Sequence, residues 1–267
     1  MNINKHLILL FSVLFFLFAV SVSSGCFRKN ESDVKSVVRN ELDQLKNLDS
    51  ETTQKYIPYT ELFPDATENT DLTDEINETF SLFFRKFNYK ISDVIVGTAN
   101  HSATVSVKLT TIDSKVLARD FKAELLRTQI TESAQAQKGN IKDSSRSLEA
   151  HYLILNHLLN TNDYDTAETD CNIQLVNTGN NKKEKWKIQR TNSLEDDLVG
   201  GLMNYLTDPD ILSPEDTLTV YFDTLKDMST EELGNYLNAD SIVSSGDSEK
   251  IQLADALVSQ VHSSFDY

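Results

Sequence analysis

The sequence predicts an α+β fold, an antiparallel curved sheet with helices on one face, and three observations predict it. Apolar residues recur at three- and four-residue steps in the first third of the chain. The period then switches to two in two separate pairs of runs, and each pair is joined by a glycine-bearing turn. Helices grouped apart from hairpins bury their stripes against one side of the sheet and leave the other side wet.

From Arg28 the first helix carries Val34, Val38, Leu42, Leu45 and Leu48 on one stripe, and a polar connection through Pro58 and Pro64 follows. Ile76, Phe80, Phe83, Phe84 and Phe87 make a second stripe whose bulk calls for a broad partner such as a sheet. Tyr89 and Ile91 lead a strand that ends near Gly97. Its hairpin partner alternates Ala103, Val105, Val107 and Leu109 with Ser, Thr and Lys. From Ser114 the helical period returns with Leu117, Phe121 and Leu125, while Thr131 to Ser147 reads equally as helix extension or loop. Leu148, Tyr152, Leu155 and Leu159 mark another helix. Ala167, Thr169, Cys171, Ile173 and Leu175 then alternate with Glu168, Asp170, Asn172 and Gln174. Beyond Gly179, Asn180 and Asn181, a short strand places Trp186 and Ile188 opposite to Lys187. Ser193, with Asp196 three residues on, is placed to cap a last helix with the stripe Leu198, Leu202 and Leu206, closed by Pro209. Gly200 and Gly201 within it permit close approach of helix and sheet.

The N-terminus reads as an address. Residues 1–25 contain one charge, Lys5, then an apolar run from Leu7 to Val22 and the small residues Ser23, Ser24 and Gly25 before Cys26. A basic start, an apolar core and a small-residue break describe a secretory signal; an uncleaved membrane-spanning helix is the alternative. The segment SVSSGC resembles the lipobox of bacterial lipoproteins, with Ser23 standing where Leu is usual. That resemblance implies lipidation of Cys26, leaving Cys171 without a partner, so that the exported part rests on its core rather than on disulfides. With the strand KWKIQ containing Trp186 and the following SLEDDLVGGL, residues 26–207 resemble the uncharacterised Gram-positive lipoproteins that carry a cystatin-like or NTF2-like domain after a lipobox. The resemblance implies a sheet wrapped around a long helix, and placement on the outer face of the cell membrane.

The chain also resembles itself. At a constant offset of 180, DQLKNLDSETTQKYI (residues 43–57) meets DTLKDMSTEELGNYL (residues 223–237): Asp43 falls on Asp223, Leu45 on Leu225, Glu51 on Glu231 and Tyr56 on Tyr236. Ser213 and Pro214 give this second copy a helix start. Residues 211–267 are therefore expected to be the helical half of a second, incomplete repeat, with stripes Leu218, Phe222, Leu225 and Val258, Val261, Phe265. Lacking a sheet, they should pack on the first domain or stay loosely ordered.

The formal charge of −16 is uneven, residues 208–267 holding 13 acidic and 2 basic residues. Such a surface repels phosphate backbones and anionic lipid, which disfavours nucleic acid as a partner. No phosphate loop, C-x-x-C, H-E-x-x-H or G-x-S-x-G occurs. His6 lies in the leader, His101 at a hairpin tip and His262 near the end; His151 and His157, six apart on one helix, point to different faces, and Glu149 beside His151 is a surface neighbour. Cys171 reads as a small core residue because Glu168 and Asp170 offer no basic setting for a thiolate. Trp186 is either a core anchor or the floor of a pocket. Sequons at Asn30, Asn77 and Asn100 carry no meaning in a bacterial export path.

These residues nominate no catalytic, metal or cofactor site; the single expected modification is lipid on Cys26. The function expected is a non-enzymatic, lipid-anchored module that binds a small molecule or a protein. An NTF2-like enzyme would need an ionisable residue on the inward face of the sheet, where Asp93 is the one candidate, and a deep pocket with a buried carboxylate or His would favour it. A structural spacer at the envelope is the third reading.

Overall fold

The computed structural model describes residues 30–57, 62–64, 66–67, 72–97, 101–136, 144–179, 185–239 and 248–264. The leader with Cys26, Pro58, Asn100, the turn residues Asn180 and Asn181, and Phe265 lie outside them. The fold is α+β, with four strands in one open antiparallel sheet. Contacts gather the described residues into two compact units interleaved along the chain. One holds residues up to Tyr56, Phe87–Thr110 and Glu168–Leu198; the other holds Ile57–Lys86, Thr111–Ala167 and the residues from Val199 onward.

The first unit is built on the sheet. Its strands β1 (Asn88–Val96), β2 (Ser102–Ile112), β3 (Thr166–Asn177) and β4 (Trp186–Ile188) lie side by side in chain order. Strict alternation in β2 and β3 sends Val105, Leu109, Ile173 and Leu175 inward, each at most 1% exposed. Burial of such side chains stabilises by roughly 1.5–3 kcal/mol apiece. The opposite face is a polar ladder in water: Thr104 donates to Gln174 (2.9 Å), Ser106 to Asn172 (2.9 Å) and Lys108 to Glu168 (3.0 Å).

β1 breaks the alternation. Ile91 pairs with Val107, but the next pair is Asp93 with Ser106, so Ser92 is an inserted residue. The bulge re-phases the strand: Val94 and Val96 turn inward opposite Val105 and Ala103, while Asp93 and Ile95 turn to the wet face.

Helix α1, through residues 30–46, buries Val34, Val38, Leu42 and Leu45. It meets the edge of the sheet where the Tyr89 hydroxyl donates to Asp43 (2.6 Å) and Lys46 donates to Asn88 (3.1 Å). Leu48, expected on the same stripe, is instead 37% exposed because it ends the helix with φ +59°. Asp49 N–H donates to the Gln44 carbonyl and Leu48 N–H to Leu45, the paired bonds of a left-handed helix stop. Asp49 then caps α2 (Ser50–Tyr56) by accepting from Thr52 N–H.

The second unit is helical. α3 (Thr73–Phe84) carries the buried phenylalanines, and it lies against α5 (Leu148–Thr161), with Phe80 and Tyr152 rings 6.4 Å apart. The partner of that stripe is thus a helix where a sheet was expected. α4 runs from Ser114 to Ala136, so the polar stretch after Thr131 begins as helix extension. Ser147 caps α5 by accepting from Ala150 N–H.

The helix expected after Ser193 is two helices. α6 (Asn192–Leu198), in the first unit, is capped by Thr191, whose hydroxyl accepts from Leu194 N–H, so Ser193 lies inside it. Gly200 (φ +64°) and Gly201 (φ +83°) then stop the ladder before α7 (Leu202–Thr207). Of this pair Gly200 alone makes the close approach: a Cβ there would stand 2.3 Å from Thr111 Oγ1, whereas one on Gly201 would meet the Tyr205 ring of α7.

The C-terminal helices α8 (Pro214–Asp227), α9 (Thr230–Tyr236) and α10 (Ser248–Ser263) are seated on the far half of α4, where Ile130 and Ala134 share a cluster with Leu225, Met228, Leu233 and Val258. Of the expected stripes, Leu225 and Val258 are buried, but Leu218 is 57%, Phe222 37% and Val261 40% exposed; Val220 and Met228 take the inward positions. The offset of 180 holds in the backbone. α2 shifts onto α9 residue for residue, and the cap Asp49 shifts onto the cap Ser229. Among the described residues no helix is long and apolar enough to cross a membrane.

Two backbone positions give opposite predictions. Leu48→Gly removes the Cβ strain of a left-handed stop and is expected to stabilise by about 0.5–1 kcal/mol. Gly200→Ala adds both that strain and a clash and is expected to cost about 2–4 kcal/mol. Urea denaturation midpoints of the two variants check both.

Candidate functional site

Within the helical unit, five segments line a cavity of about 380 Å³. α4 supplies Phe121, Lys122, Leu125 and Gln129, which share one face by helical spacing. The segment around Phe63 supplies Leu62, Phe63, Pro64 and Ala66; the 3-10 turn Ser144–Arg146 supplies Ser145 and Arg146; His151 comes from the first turns of α5, and Leu206 and Thr207 from the end of α7. Leu62, Phe63, Phe121, Ser145, His151 and Leu206 are buried, whereas Pro64, Gln129, Arg146 and Thr207 form an exposed rim.

Phe63 is the hub. Its ring stacks on Phe121 at 5.2 Å, meets Tyr152 edge-on at 5.4 Å and lies 4.9 Å from the His151 ring. His151 also meets Phe121 edge-on at 5.6 Å. The segment is held by a short parallel bridge: Thr67 N–H donates to Arg146 O (2.9 Å) and Leu148 N–H to Thr67 O (3.0 Å). Glu132 accepts from Ser145 N–H (3.2 Å), fixing the turn.

His151 is 9% exposed and its Nδ1 has no hydrogen-bond partner. Burial, and then the charge of Lys122, push the imidazole below its ordinary range, against a smaller opposing pull from the Ser145 backbone. The ring is therefore neutral at pH 7. Lys122 has no ion-pair partner among the described residues, and none of the cavity-lining residues is acidic.

The structure scatters the other residues that the sequence brought forward. Asp93 is exposed on the wet face of the sheet, which overturns its reading as an inward acid; the cause is the Ser92 bulge. His101, Glu149 and His157 are exposed, and the His262 ring meets the Lys226 carbonyl at 2.9 Å. Cys171 is buried and free, and burial together with the neighbouring Asp197 carboxylate drives its thiol far above the usual range. Trp186 is buried and does not line the cavity. Among the described residues no group of His, Cys, Asp and Glu is arranged to hold a metal ion. Phe63, Lys122 and Arg146 carried no sequence signal, because the cavity joins segments from residue 62 to residue 207 that share no local motif. No family model, curated protein or solved structure matches this chain.

The depressed basicity of His151 fixes the sign of a pH effect. The unfolded chain binds the proton near pH 6.5 while the folded chain resists it, so the contribution of this group is complete above about pH 6.5 and is lost as pH falls through the lower folded value. Relative to His151→Gln, the wild-type protein is expected to lose up to about 1.4 kcal/mol of stability per pH unit within that window. Paired denaturation curves between pH 7.5 and about pH 5 check it.

Proposed function

We propose that this chain is a lipid-anchored extracytoplasmic binding protein whose helical unit carries the ligand site. The observation behind the binding reading is the cavity. On a protein of net charge −16, a concave site lined by aromatic and aliphatic walls, Lys122, Arg146 and a buried His151, with no lining carboxylate, is selective chemistry rather than an average sample of the surface. The inward face of β2 and β3 is filled by Val105, Leu109, Ile173 and Leu175. The alternative, an enzyme, loses Asp93, which lies on the wet face of the sheet, and is favoured instead by the buried His151 that lines the cavity of the helical unit.

The tether rests on the segment SVSSGC and the apolar run before it. A cysteine carrying acyl chains holds a protein by about 0.8 kcal/mol per buried CH₂, so removing the thiol removes the attachment. Radiolabelled palmitate is expected to enter the wild-type protein and not Cys26→Ser, and the wild-type protein is expected to sediment with membranes. Unlabelled wild-type protein recovered from the soluble fraction overturns the anchor and leaves the cavity reading untouched.

A further inference from the structure

We infer that the outer edge of β3, from Glu168 to Asn172, is a strand-addition site for an extended peptide carrying lysine or arginine at alternate positions. The site belongs to the sheet unit and does not depend on the cavity reading.

Backbone direction places the site. Asn177 N–H donates to the His101 carbonyl at 3.0 Å, toward β2, whereas the Gln174 carbonyl accepts from Gln189 N–H at 2.8 Å, toward β4. These directions alternate residue by residue, and the regular alternation of burial along β3 keeps them in phase. Glu168, Asp170 and Asn172 therefore turn their N–H and C=O groups to the β4 side. β4 does not reach them. Its pairing covers Leu175 to Asn177, the Gln189 bond is the last across that edge, and Thr191 then caps α6. Among the described residues no group bonds the outward N–H and C=O of Glu168, Asp170 or Asn172. Such an edge is a template for another strand. The opposite outer strand is blunted, since β1 carries the Ser92 bulge and the Tyr89 contact with α1; β3 contains no proline and keeps its alternation.

Charge selects the occupant. Glu168, Asp170 and Asn172 are exposed on the wet face. Glu168 takes the ion pair with Lys108 at 3.0 Å, and Asp170 has none among the described residues. A second copy of this chain is the wrong partner, because antiparallel pairing of two such edges about Asp170 sets carboxylate against carboxylate. A strand with a basic residue beside Asp170 gains where the second copy loses. β4 shows that chemistry on the stretch of edge it already covers. Lys185 and Lys187 are exposed on the wet side, while Trp186 is buried and Ile188 half-buried on the other. The occupant continues the line of β4, with its basic residues beside Asp170 and Glu168 and its alternate, apolar residues on the side of Cys171 and Thr169.

The test is fluorescence anisotropy with the purified full-length protein in non-ionic detergent. The probes are a labelled peptide alternating lysine and valine, its counterpart with glutamate for lysine, and the lysine peptide N-methylated at its lysines. On the added strand the lysines are the residues whose N–H groups meet the edge, so methylation removes the backbone bonds and keeps the charge. The lysine peptide is expected to bind and to slow amide hydrogen exchange at residues 168–172, while the glutamate and N-methylated peptides bind at least about 10-fold more weakly. Asp170→Lys is expected to weaken the lysine peptide by about 10-fold and to strengthen the glutamate peptide, with circular dichroism confirming that the variant is folded. Equal binding of the N-methylated peptide, or lysine-peptide binding indifferent to Asp170→Lys, overturns the assignment. So does absence of binding to folded wild-type protein, or protection of residues 168–172 that follows protein self-association instead of peptide.

Discussion

The length of α4 is the constraint on which the helical unit depends. At 1.5 Å per residue its 23 residues extend about 34 Å, enough to do two separate things along one rod. Its first half gives Leu117 and Phe121 to the core beside α5 and turns Lys122 and Leu125 toward the cavity. Its second half gives Ile130 and Ala134 to the cluster that seats α8, α9 and α10. The Tyr164 hydroxyl donates to Asp120 at 3.1 Å and ties the segment before β3 to α4, and Lys86 holds that same segment through Asp163 and the Tyr164 carbonyl. One helix therefore contributes both to the cavity wall and to the seat of the C-terminal helices.

The internal offset of 180 makes the C-terminal helices informative as a comparison within one molecule. Val38, Leu42 and Leu45 on α1 are at most 2% exposed, and they map onto Leu218, Phe222 and Leu225 on α8. Only Leu225 is buried there, at 4%, by the cluster on α4. The apolar character of the stripe survives in the second copy while most of its burial does not. The helix boundaries survive as well, because Ser229 and Glu232 form a full capping box where Asp49 and Thr52 make the equivalent start. Local capping chemistry therefore specifies where these helices begin even where tertiary burial is thin.

This separation between local and tertiary signals explains what was legible in the sequence. The alternation of β2, β3 and β4, the stripes of α1, α3 and α5, and the Pro214 start of α8 follow from side-chain periodicity alone, and the α+β class follows from their order. Other features escaped. An inserted residue changes no composition, so Ser92 looked like any outward serine, and the error carried Asp93 to the wrong face. Gly200 and Gly201 were read as a concession to packing within a helix. Two glycines in series cost such a helix about 2 kcal/mol and left-handed backbone angles end it, which the pair itself could have signalled. On α8, periodicity offered two adjacent apolar faces. The seat on α4, invisible locally, chose the face with Val220 over the one with Leu218. The cavity was the least legible of all, since it exists only once Phe63, Phe121 and His151 have been brought together from three segments.

Charge sets the cavity apart from the chain as a whole. The sequence carries a net charge of −16, with 13 acidic and 2 basic residues between 208 and 267, whereas the cavity lining holds Lys122 and Arg146 and no carboxylate. In a partly enclosed site the lower dielectric strengthens the charges that remain, so two basic side chains count for more there than on an open surface. The aromatic stack of Phe63 on Phe121 forms part of the same wall, which places apolar contact and positive charge within one cavity.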